Sequence, residues 1–580
     1  MQGQARSERE LLDAEAMVGR LVPPGSVFAF LAEHRRELFP DSFIADLFRS
    51  STGRPSLPAD LIGSVLVLKE LYDLSDRQTA EALVYDLRWK VACGRSLTEM
   101  SFDPSVLVYW RRRIAASARP DRVFDAVAEV IAQTGILRGR RKRCVDSTVF
   151  DDAVATQDTV TQLVAAIRKV ARVVPGAAEV VGRVCTLDYS KPGKPSIDWD
   201  DAEAKADLVS DLVNDALAVL AELAGDDAPQ REDKAADALG LLALVAGQDV
   251  EPAEGSDGTD GRWRIARKVA GDRVISTVDP QARHTRKSKF NRKDGYRGHV
   301  AAEPDTGLIT DCEMTKACGH AGSDPVVGEQ MICRDRYHRT DTETAAPSAE
   351  GADTEPAGHA AQAVAASRPA SADDDSDGSS ANADPAGEQQ TGSVDQSQGL
   401  EVYGDSAYGT GEARAKYREG GHDTVIKPKP LHPAVAGGFT LDDFTVNEQD
   451  GTVTCPRGHT RPMSAKRTVT FGTRCADCPL RPRCTTAKNG RSMTIHPHED
   501  LLRAARAQAR TPEFKQAYPT RSAIERIISW TATQNGRRVK LRYLGISNND
   551  AWLRTRCAAL NLRTLTKRGL TRRDGAWALA

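Results

Sequence analysis

Long apolar runs are absent from this 580-residue sequence. None approaches the roughly 20 residues that span a bilayer, so no membrane-crossing helix is expected. The opening residues MQGQARSERELLD are polar and hold no signal-peptide core, and a cytoplasmic location follows as the expectation. Net charge is nearly absent, at −2, and the whole-chain value points to no particular partner. Aromatic residues are few, at 5%, yet a hydrophobic content of 40% is enough to bury real cores. A disulfide framework is missing too. The 11 cysteines are odd in number, and four of them, Cys455, Cys475, Cys478 and Cys484, crowd one short window. That pattern fits a metal site in a reducing compartment. The length exceeds one ordinary domain and implies roughly two to four structural units.

The near-zero charge is an average over opposed segments. Residues 341–400 hold 12 Asp/Glu against one Lys/Arg, whereas residues 501–580 hold 17 Lys/Arg against 4 Asp/Glu. Further basic clusters lie at Arg138, Arg140, Arg141, Lys142 and Arg143, and between Arg283 and Arg297. An acidic insert thus conceals a basic body, and basic surface of this kind suits a polyanion.

Residues 1–130 repeat apolar positions at helical spacing. Ser75 followed by Gln78 has the form of a capping box and predicts a helix from Asp76. Asp103-Pro104-Ser105 predicts another, SVLVYWRRRIAA, with three arginines on one turn. RCVDSTV (143–149) is β-like, and the Ala- and Val-rich stretch 158–250 reads as a helical insertion. GYRGHVAAEPDTGLITDCEMTKA (295–317) predicts a hairpin turning at Glu303-Pro304-Asp305-Thr306-Gly307. Residues 338–398 contain almost no large apolar side chain and read as a disordered acidic linker. Order resumes at Leu400, with a strand to Gly404, a helix from about Glu412, and a strand over 423–428. Strands in hairpin order followed by strand–helix–strand predict an α/β fold, a mixed sheet flanked by helices.

In such sheets neighbouring strand ends converge on one site. Asp405 follows a strand, among small residues that would let a phosphate backbone approach, and such a carboxylate can hold a divalent metal. Asp146, in VDST, can stand beside it from the first strand. Asp151, Asp152 and Asp279 are alternatives for that acid. Glu525, in YPTRSAIERIISW, is the third candidate, on a helix whose buried face would be Ile524, Ile527 and Ile528. Three carboxylates suffice for two Mg²⁺ ions that act on phosphorus.

The ordered set of motifs resembles a known family, the bacterial insertion-sequence transposases of the DDE type, whose catalytic fold is ribonuclease H-like. The resemblance rests on DLRWKVACG, VDST (145–148), DGYRGHVA (294–301), YGDSAYG (403–409), YPTRSAIERIISWTATQNGRRVKLRYLG (518–545) and AALNLRTL (558–565). It implies Asp146, Asp405 and Glu525 as a catalytic triad holding Mg²⁺ or Mn²⁺. The family signature runs Tyr, two residues, Arg, three residues, Glu, six residues, Lys. Tyr518, Arg521 and Glu525 match it, and Ala532 occupies the Lys position. Arg537, Arg538 or Lys540 can supply the missing phosphate contact, and Arg542 joins Tyr518 and Arg521 among the residues expected at DNA.

The resemblance divides the chain as follows. Residues 1–135 would be an all-helical DNA-binding domain. Residues 136–337 would begin the catalytic domain, with a helical insertion over 155–255. The acidic linker, 338–398, would precede the second catalytic part, 399–445. A Cys-rich segment, 446–495, would bind zinc, and 496–580 would carry the glutamate on basic helices. Cys475 and Cys478 have the spacing to grip one tetrahedral ion, Cys455 and Cys484 complete a four-thiolate set, and His459 can replace one of them. The remaining cysteines, 93, 144, 185, 312, 318, 333 and 557, read as buried small residues. The expected function is DNA transposition: binding of terminal inverted repeats, cleavage with metal-activated water, and transfer of 3′-hydroxyl ends to target DNA by a homodimer in the nucleoid. A plain nuclease of the same fold and an inert DNA-binding regulator are the alternatives.

Overall fold

Start and stop signals recur along the first 135 residues and cut them into short helices. These are α1 (Ala14–Val18), α2 (Val27–Leu38), α3 (Ala59–Tyr72), α4 (Asp76–Tyr85), α5 (Leu87–Ala92), α6 (Ser105–Ala115) and α7 (Arg122–Thr134). The Ser75–Gln78 capping box forms: the Gln78 amide donates to Ser75 Oγ at 3.2 Å and the Ser75 amide to Gln78 Oε1 at 2.9 Å. Helix α3 is buried on every side from Ala59 to Leu71, including the charged Asp60, Lys69 and Glu70. The computed structural model describes residues 1–5, 11–50, 52–223, 233–268, 270–288, 291–338 and 399–580. Most of the stretch expected to be an acidic linker, 339–398, lies outside the described residues.

Strand β1 (Lys142–Asp151) leads into helices α8 (Thr159–Val173), α9 (Ala177–Val184), α10 (Ala202–Leu223) and α11 (Asp233–Gln248) and the hairpin β2 (Val250–Pro252) and β3 (Trp263–Ile265). These elements bury their own core of Leu163, Ile167, Leu212, Leu242 and Val245. Asp151, one of the alternatives for the first acid, is the last residue of β1.

The chain then returns to the sheet with β4 (Arg283–Ser288), β5 (Asn291–Glu303) and β6 (Leu308–Lys316). The hairpin turns where Glu303 accepts the amides of Asp305 and Thr306 and Gly307 takes a φ of 72°, a conformation that favours glycine. After α12 (Asp324–Cys333) come β7 (Glu401–Gly404), α13 (Gly411–Glu419) and β8 (Asp423–Ile426). Strand β5 is antiparallel to β1, β4 and β6, while β7 is parallel to β1 and β8 to β7. The result is a mixed sheet flanked by helices, as expected. Alternate residues of β1 and β5 serve opposite faces. Cys144, Val300 and Ala302 join Ile524 and Ile527 in one core, while Val145 and Ala301 join Val327, Met331 and Tyr408 in another.

Small strands β9 (Thr445–Asn447), β10 (Thr452–Thr454), β11 (Thr460–Pro462), β12 (Thr468–Thr470) and β13 (Ser492–Thr494), with α14 (Arg481–Cys484), form the Cys-rich segment around Phe444, Val453, Val469, Phe471 and Ile495. Helices α15 (Glu499–Gln508), α16 (Pro512–Ala517), α17 (Ser522–Ala532) and α18 (Ile546–Thr566) follow. Helix α18 packs on β6, α3 and α7. Its Asn561 exchanges two hydrogen bonds of 2.8 Å with the Ile309 backbone, where a bulge interrupts the β5–β6 ladder.

The RYLG motif lies at the seam between the amino-terminal helices and this helix. Buried Lys69 donates to Tyr543 Oη at 2.9 Å and to Glu70 at 2.7 Å, and Arg542 pairs with Asp73 at 2.6 Å. Of the cysteines expected to be buried, Cys93, Cys144, Cys312 and Cys557 are so. Cys185 and Cys318 are half-buried and Cys333 is exposed, because it ends α12.

Candidate active site

Asp146 lies in the middle of β1 and Asp405 directly follows β7. The parallel register pairs Cys144 with Tyr403, so continuing each chain by two residues brings the aspartates level. Each gives one oxygen to the local backbone: Ser147 N donates to Asp146 Oδ1 at 2.8 Å and Ala407 N to Asp405 Oδ1 at 2.8 Å. The second bond is the turn that small residues and Asp favour. Gly409 has a packing reason as well, since a Cβ there would stand 2.8 Å from both Arg414 and Ile426.

Helix α17 brings the third acid. Ile524 and Ile527 are fully buried and Ile528 is partly so, which holds the helix on the sheet. Arg521, one turn before Glu525, forks between the acids, with Nη2 3.2 Å from Asp146 Oδ2 and Nη1 2.8 Å from Glu525 Oε1. The Asp146 side chain is 18% exposed and that of Glu525 is 61% exposed, so the site is open on the Glu525 side. Burial pushes the Asp146 carboxyl up to about 6, with Asp405 and Asp324 acting in the same direction and the Ser147 amide and Arg521 opposing. Tyr518 stacks on Phe514 at 5.3 Å and lies in the field of all three acids.

Two of the alternatives for the first acid have other surroundings. Asp279 accepts Tyr296 Oη at 2.6 Å and the Gly545 amide at 3.2 Å. Asp152 is buried with Oδ2 unpartnered, and burial raises its carboxyl to about 6. Among the basic residues, Arg537, Arg538 and Lys540 are exposed beside the end of β1, with Lys540 bridged to Asp151. Arg542 turns to Asp73 instead. Ala532 is buried, so the Lys position of the signature does not face solvent here.

A group behind Asp146 escaped the sequence reading. Ser147 Oγ donates to Asp324 Oδ1 at 2.6 Å, and Arg297 Nη1 reaches the same oxygen at 3.2 Å. His299 is fully buried, with Nε2 3.1 Å from Thr315 Oγ1 and Nδ1 without a hydrogen bond but 3.7 Å from Asp324 Oδ1. Burial pushes His299 down to about 4, with Asp324 opposing. The signal was available in part. Arg297 and His299 belong to DGYRGHVA, and Ser323-Asp324-Pro325 is a helix start.

Metal geometry is not built in. Among the described residues, no group of three or more His, Cys, Asp or Glu side chains is arranged to hold an ion. At the acids the Arg521 guanidinium lies between Asp146 and Glu525. Cys455, Cys475, Cys478 and Cys484 line one cavity of about 20 Å³ together with His459, but they are not drawn into ligand positions. Burial and the neighbouring thiols push the Cys484 thiol up. No described helix is long and apolar enough to cross a membrane.

Two family models match the chain: "Transposase domain (DUF772)" over residues 18–113 and "Transposase DDE domain" over residues 454–566. Residues 18–113 and 454–566 thus each match a transposase domain. Both matches are consistent with the resemblance to DDE transposases of insertion sequences. The second match contains the cysteine cluster and Glu525, while Asp146 and Asp405 fall outside both. A curated relative, "Uncharacterized protein ORF8 in nfe locus" of Rhizobium meliloti, is 31% identical over 112 residues, 19% of this chain and 54% of the relative. The chain thus spans about half the length of that relative. No solved structure matches the chain.

Proposed function

We propose that this chain is a DDE transposase with a ribonuclease H-like catalytic domain. It would bind the terminal inverted repeats of its element in the cytoplasm, cut phosphodiester bonds there, and join the freed 3′-hydroxyl ends to target DNA as a homodimer. The observation that carries this reading is the pairing of Asp146 and Glu525 with one arginine, Arg521, with Asp405 level with Asp146 at the end of the neighbouring parallel strand, in a chain that matches transposase domains. The sheet order β6-β5-β1-β7-β8, with the last two strands parallel to β1, supports the fold assignment.

Asp146, Asp405 and Glu525 are the residues that would hold Mg²⁺. Hard carboxylate oxygens facing an open site fit that ion. The chemistry such ions supply is activation of water and stabilisation of a leaving oxygen at phosphorus. The protein's own part is positional. The Ser147 and Ala407 amides fix one oxygen of each aspartate, and Arg521 holds the other oxygen of Asp146. Arg521 balances the charge of the acids and can donate to a phosphate once they are engaged elsewhere. Arg537, Arg538 and Lys540, exposed beside β1, would track the DNA backbone. Cys455, Cys475, Cys478 and Cys484 would hold a structural Zn²⁺, with His459 as the alternative ligand. Four soft donors around a space of about 20 Å³ fit a single such ion.

Ala532 at the Lys position favours a second reading, an inert DNA-binding regulator. Incubation with DNA carrying the inverted repeats that flank the gene, in Mg²⁺, separates the readings. A transposase joins labelled ends to a plasmid, a plain nuclease cuts without joining, and a regulator binds without cutting.

A further inference from the structure

Arg556, on α18, is a fully buried cation that forms no ion pair among the described residues. Its guanidinium donates to backbone carbonyls instead. Nε reaches Thr531 O at 2.7 Å, Nη2 reaches Trp530 O at 3.1 Å and Thr533 O at 2.9 Å, and Nη1 reaches Glu70 O at 2.7 Å. These acceptors are the ends of two helices. The Thr533 amide closes the last helical bond of α17, on Ser529 O, which leaves the carbonyls of residues 530–533 without helical partners. Arg556 takes three of them, and the Val539 amide takes that of Ala532 at 2.9 Å. Glu70 lies in the last turn of α3. A helix end carries about half a unit of negative charge, so two ends roughly balance one guanidinium. The balance is needed, because burial lowers Arg556 from its ordinary value, with Asp73 and Glu70 opposing.

Helix α17 also carries Glu525. Thr531 follows that acid by six residues, about 9 Å along the axis at a rise of about 1.5 Å each. A tilt of about 10° about the held end would carry Glu525 about 1.5 Å. Misplacement on that scale costs roughly 100-fold in rate. Thr533 further begins a small hairpin, β14 (Thr533–Gln534) and β15 (Arg537–Arg538). One guanidinium thus holds α17 and the root of the basic hairpin against the end of α3. The task suits arginine, whose planar fork can serve several carbonyls at once, as an ammonium cannot.

We propose that Arg556 is a positioning residue for Glu525: by capping α17 and α3 together it fixes the helix that presents the third acid. The role rests on the reading of Glu525 as a metal-binding acid. The place rests on the two helix ends.

The test compares Arg556→Lys with Asn561→Ala in the full chain. The first keeps the charge and loses the fork. The second removes two buried hydrogen bonds from the same helix, both to Ile309 and neither to α17. Cleavage of DNA carrying the inverted repeats is followed over a Mg²⁺ series, at a temperature where both variants are folded. Arg556→Lys should raise the Mg²⁺ concentration for half-maximal rate about tenfold and lower the saturating rate about 100-fold, with DNA binding unchanged. Asn561→Ala should melt lower than the parent and keep the parent's Mg²⁺ requirement. Hydrogen exchange without metal is the second readout. Residues 525–540 should exchange faster in Arg556→Lys and at the parent rate in Asn561→Ala. The parent alone decides if the lysine variant does not fold: its Thr533 and Val539 amides should exchange as slowly as the middle of α18, and exchange as fast as at exposed helix ends would overturn the clamp. If the parent cleaves and Arg556→Lys keeps its Mg²⁺ requirement, or Asn561→Ala shifts it equally, the positioning role is wrong while the transposase reading stands. If the parent does not cleave such DNA, both are wrong.

Discussion

Asp146 and Arg521 are 375 residues apart in sequence and meet at 3.2 Å, with Arg521 also bound to Glu525 at 2.8 Å. Without Arg521 the acids would repel one another with no cation between them. Arg521→Ala should therefore lower the stability of chelator-treated protein by about 1–2 kcal/mol, the scale of a partly buried pair rather than an exposed one. Millimolar Mg²⁺ should return part of that loss. Thermal melts with and without Mg²⁺ measure both, and equal melting of parent and variant in chelator would mean the guanidinium is incidental.

Asp324 acts on Asp146 through Ser147, its neighbour on β1. Asp324→Ala removes the acceptor of the 2.6 Å bond and the partner of Arg297. Cleavage should fall about 10–100-fold, as for other groups that orient a metal-binding side chain. A simple loss of fold would not raise the Mg²⁺ concentration needed for half-maximal rate, whereas a misplaced Asp146 would. Asp324→Asn, which keeps the acceptor, should recover most of the rate.

Asp152 gives a pH signature. Its folded value, pushed up to about 6 by burial, exceeds that of an unfolded aspartate. The folded state thus holds the extra proton between roughly pH 4 and 6, and stability falls as pH rises through that window. Above it the buried charge is a standing cost. Asp152→Asn should raise stability at pH 7.5 by about 1–2 kcal/mol, discounted for solvent access, and should do nothing near pH 4. Urea unfolding at the two pH values reads the difference. A gain equal at both would point to packing instead of charge.

How much was legible depended on range. The Ser75–Gln78 box, the turn at 303–307 and the α17 face of Ile524 and Ile527 are local, and their residue types sufficed. Asp405 followed from a strand end and a small-residue turn. Asp324 was not legible, because nothing near it in sequence says that Ser147 will bind it. The seam formed by Lys69, Glu70, Tyr543 and Arg556 was equally hidden. Buried Lys69 and Arg556 look like solvated charges until Tyr543, Glu70 and the Thr531 carbonyl are brought to them by folding. For the same reason Arg542, basic and close to Lys540, read as a DNA residue although its side chain turns to Asp73. Periodicity reports which face is buried. It does not report the distant partner that makes burial of a charge tolerable.

The cysteine segment has a direct assay. Protein purified under reducing conditions without chelator should carry about one Zn²⁺ per chain, and Cys478→Ser should lower that and increase protease cutting within 452–490. Metal-free protein with an unchanged proteolytic pattern would make these four thiols ordinary surface and core residues.

The central claim is that Asp405 serves the chemistry and not only its turn. Asp405→Asn keeps the side chain's shape and the acceptor for Ala407 N, and removes the charge. The measurement is joining of a labelled inverted-repeat end to plasmid DNA in Mg²⁺, beside Glu412→Gln, whose exposed side chain pairs with His496 at 3.1 Å away from the acids. The account predicts that the Asp405 variant binds DNA like the parent and loses cleavage and joining by several orders of magnitude, as Asp146→Asn and Glu525→Gln also should, with little further loss when two are combined. The Glu412 variant should act normally. Cleavage and joining by the Asp405 variant at near the parent rate would contradict it and leave the carboxylate a turn residue.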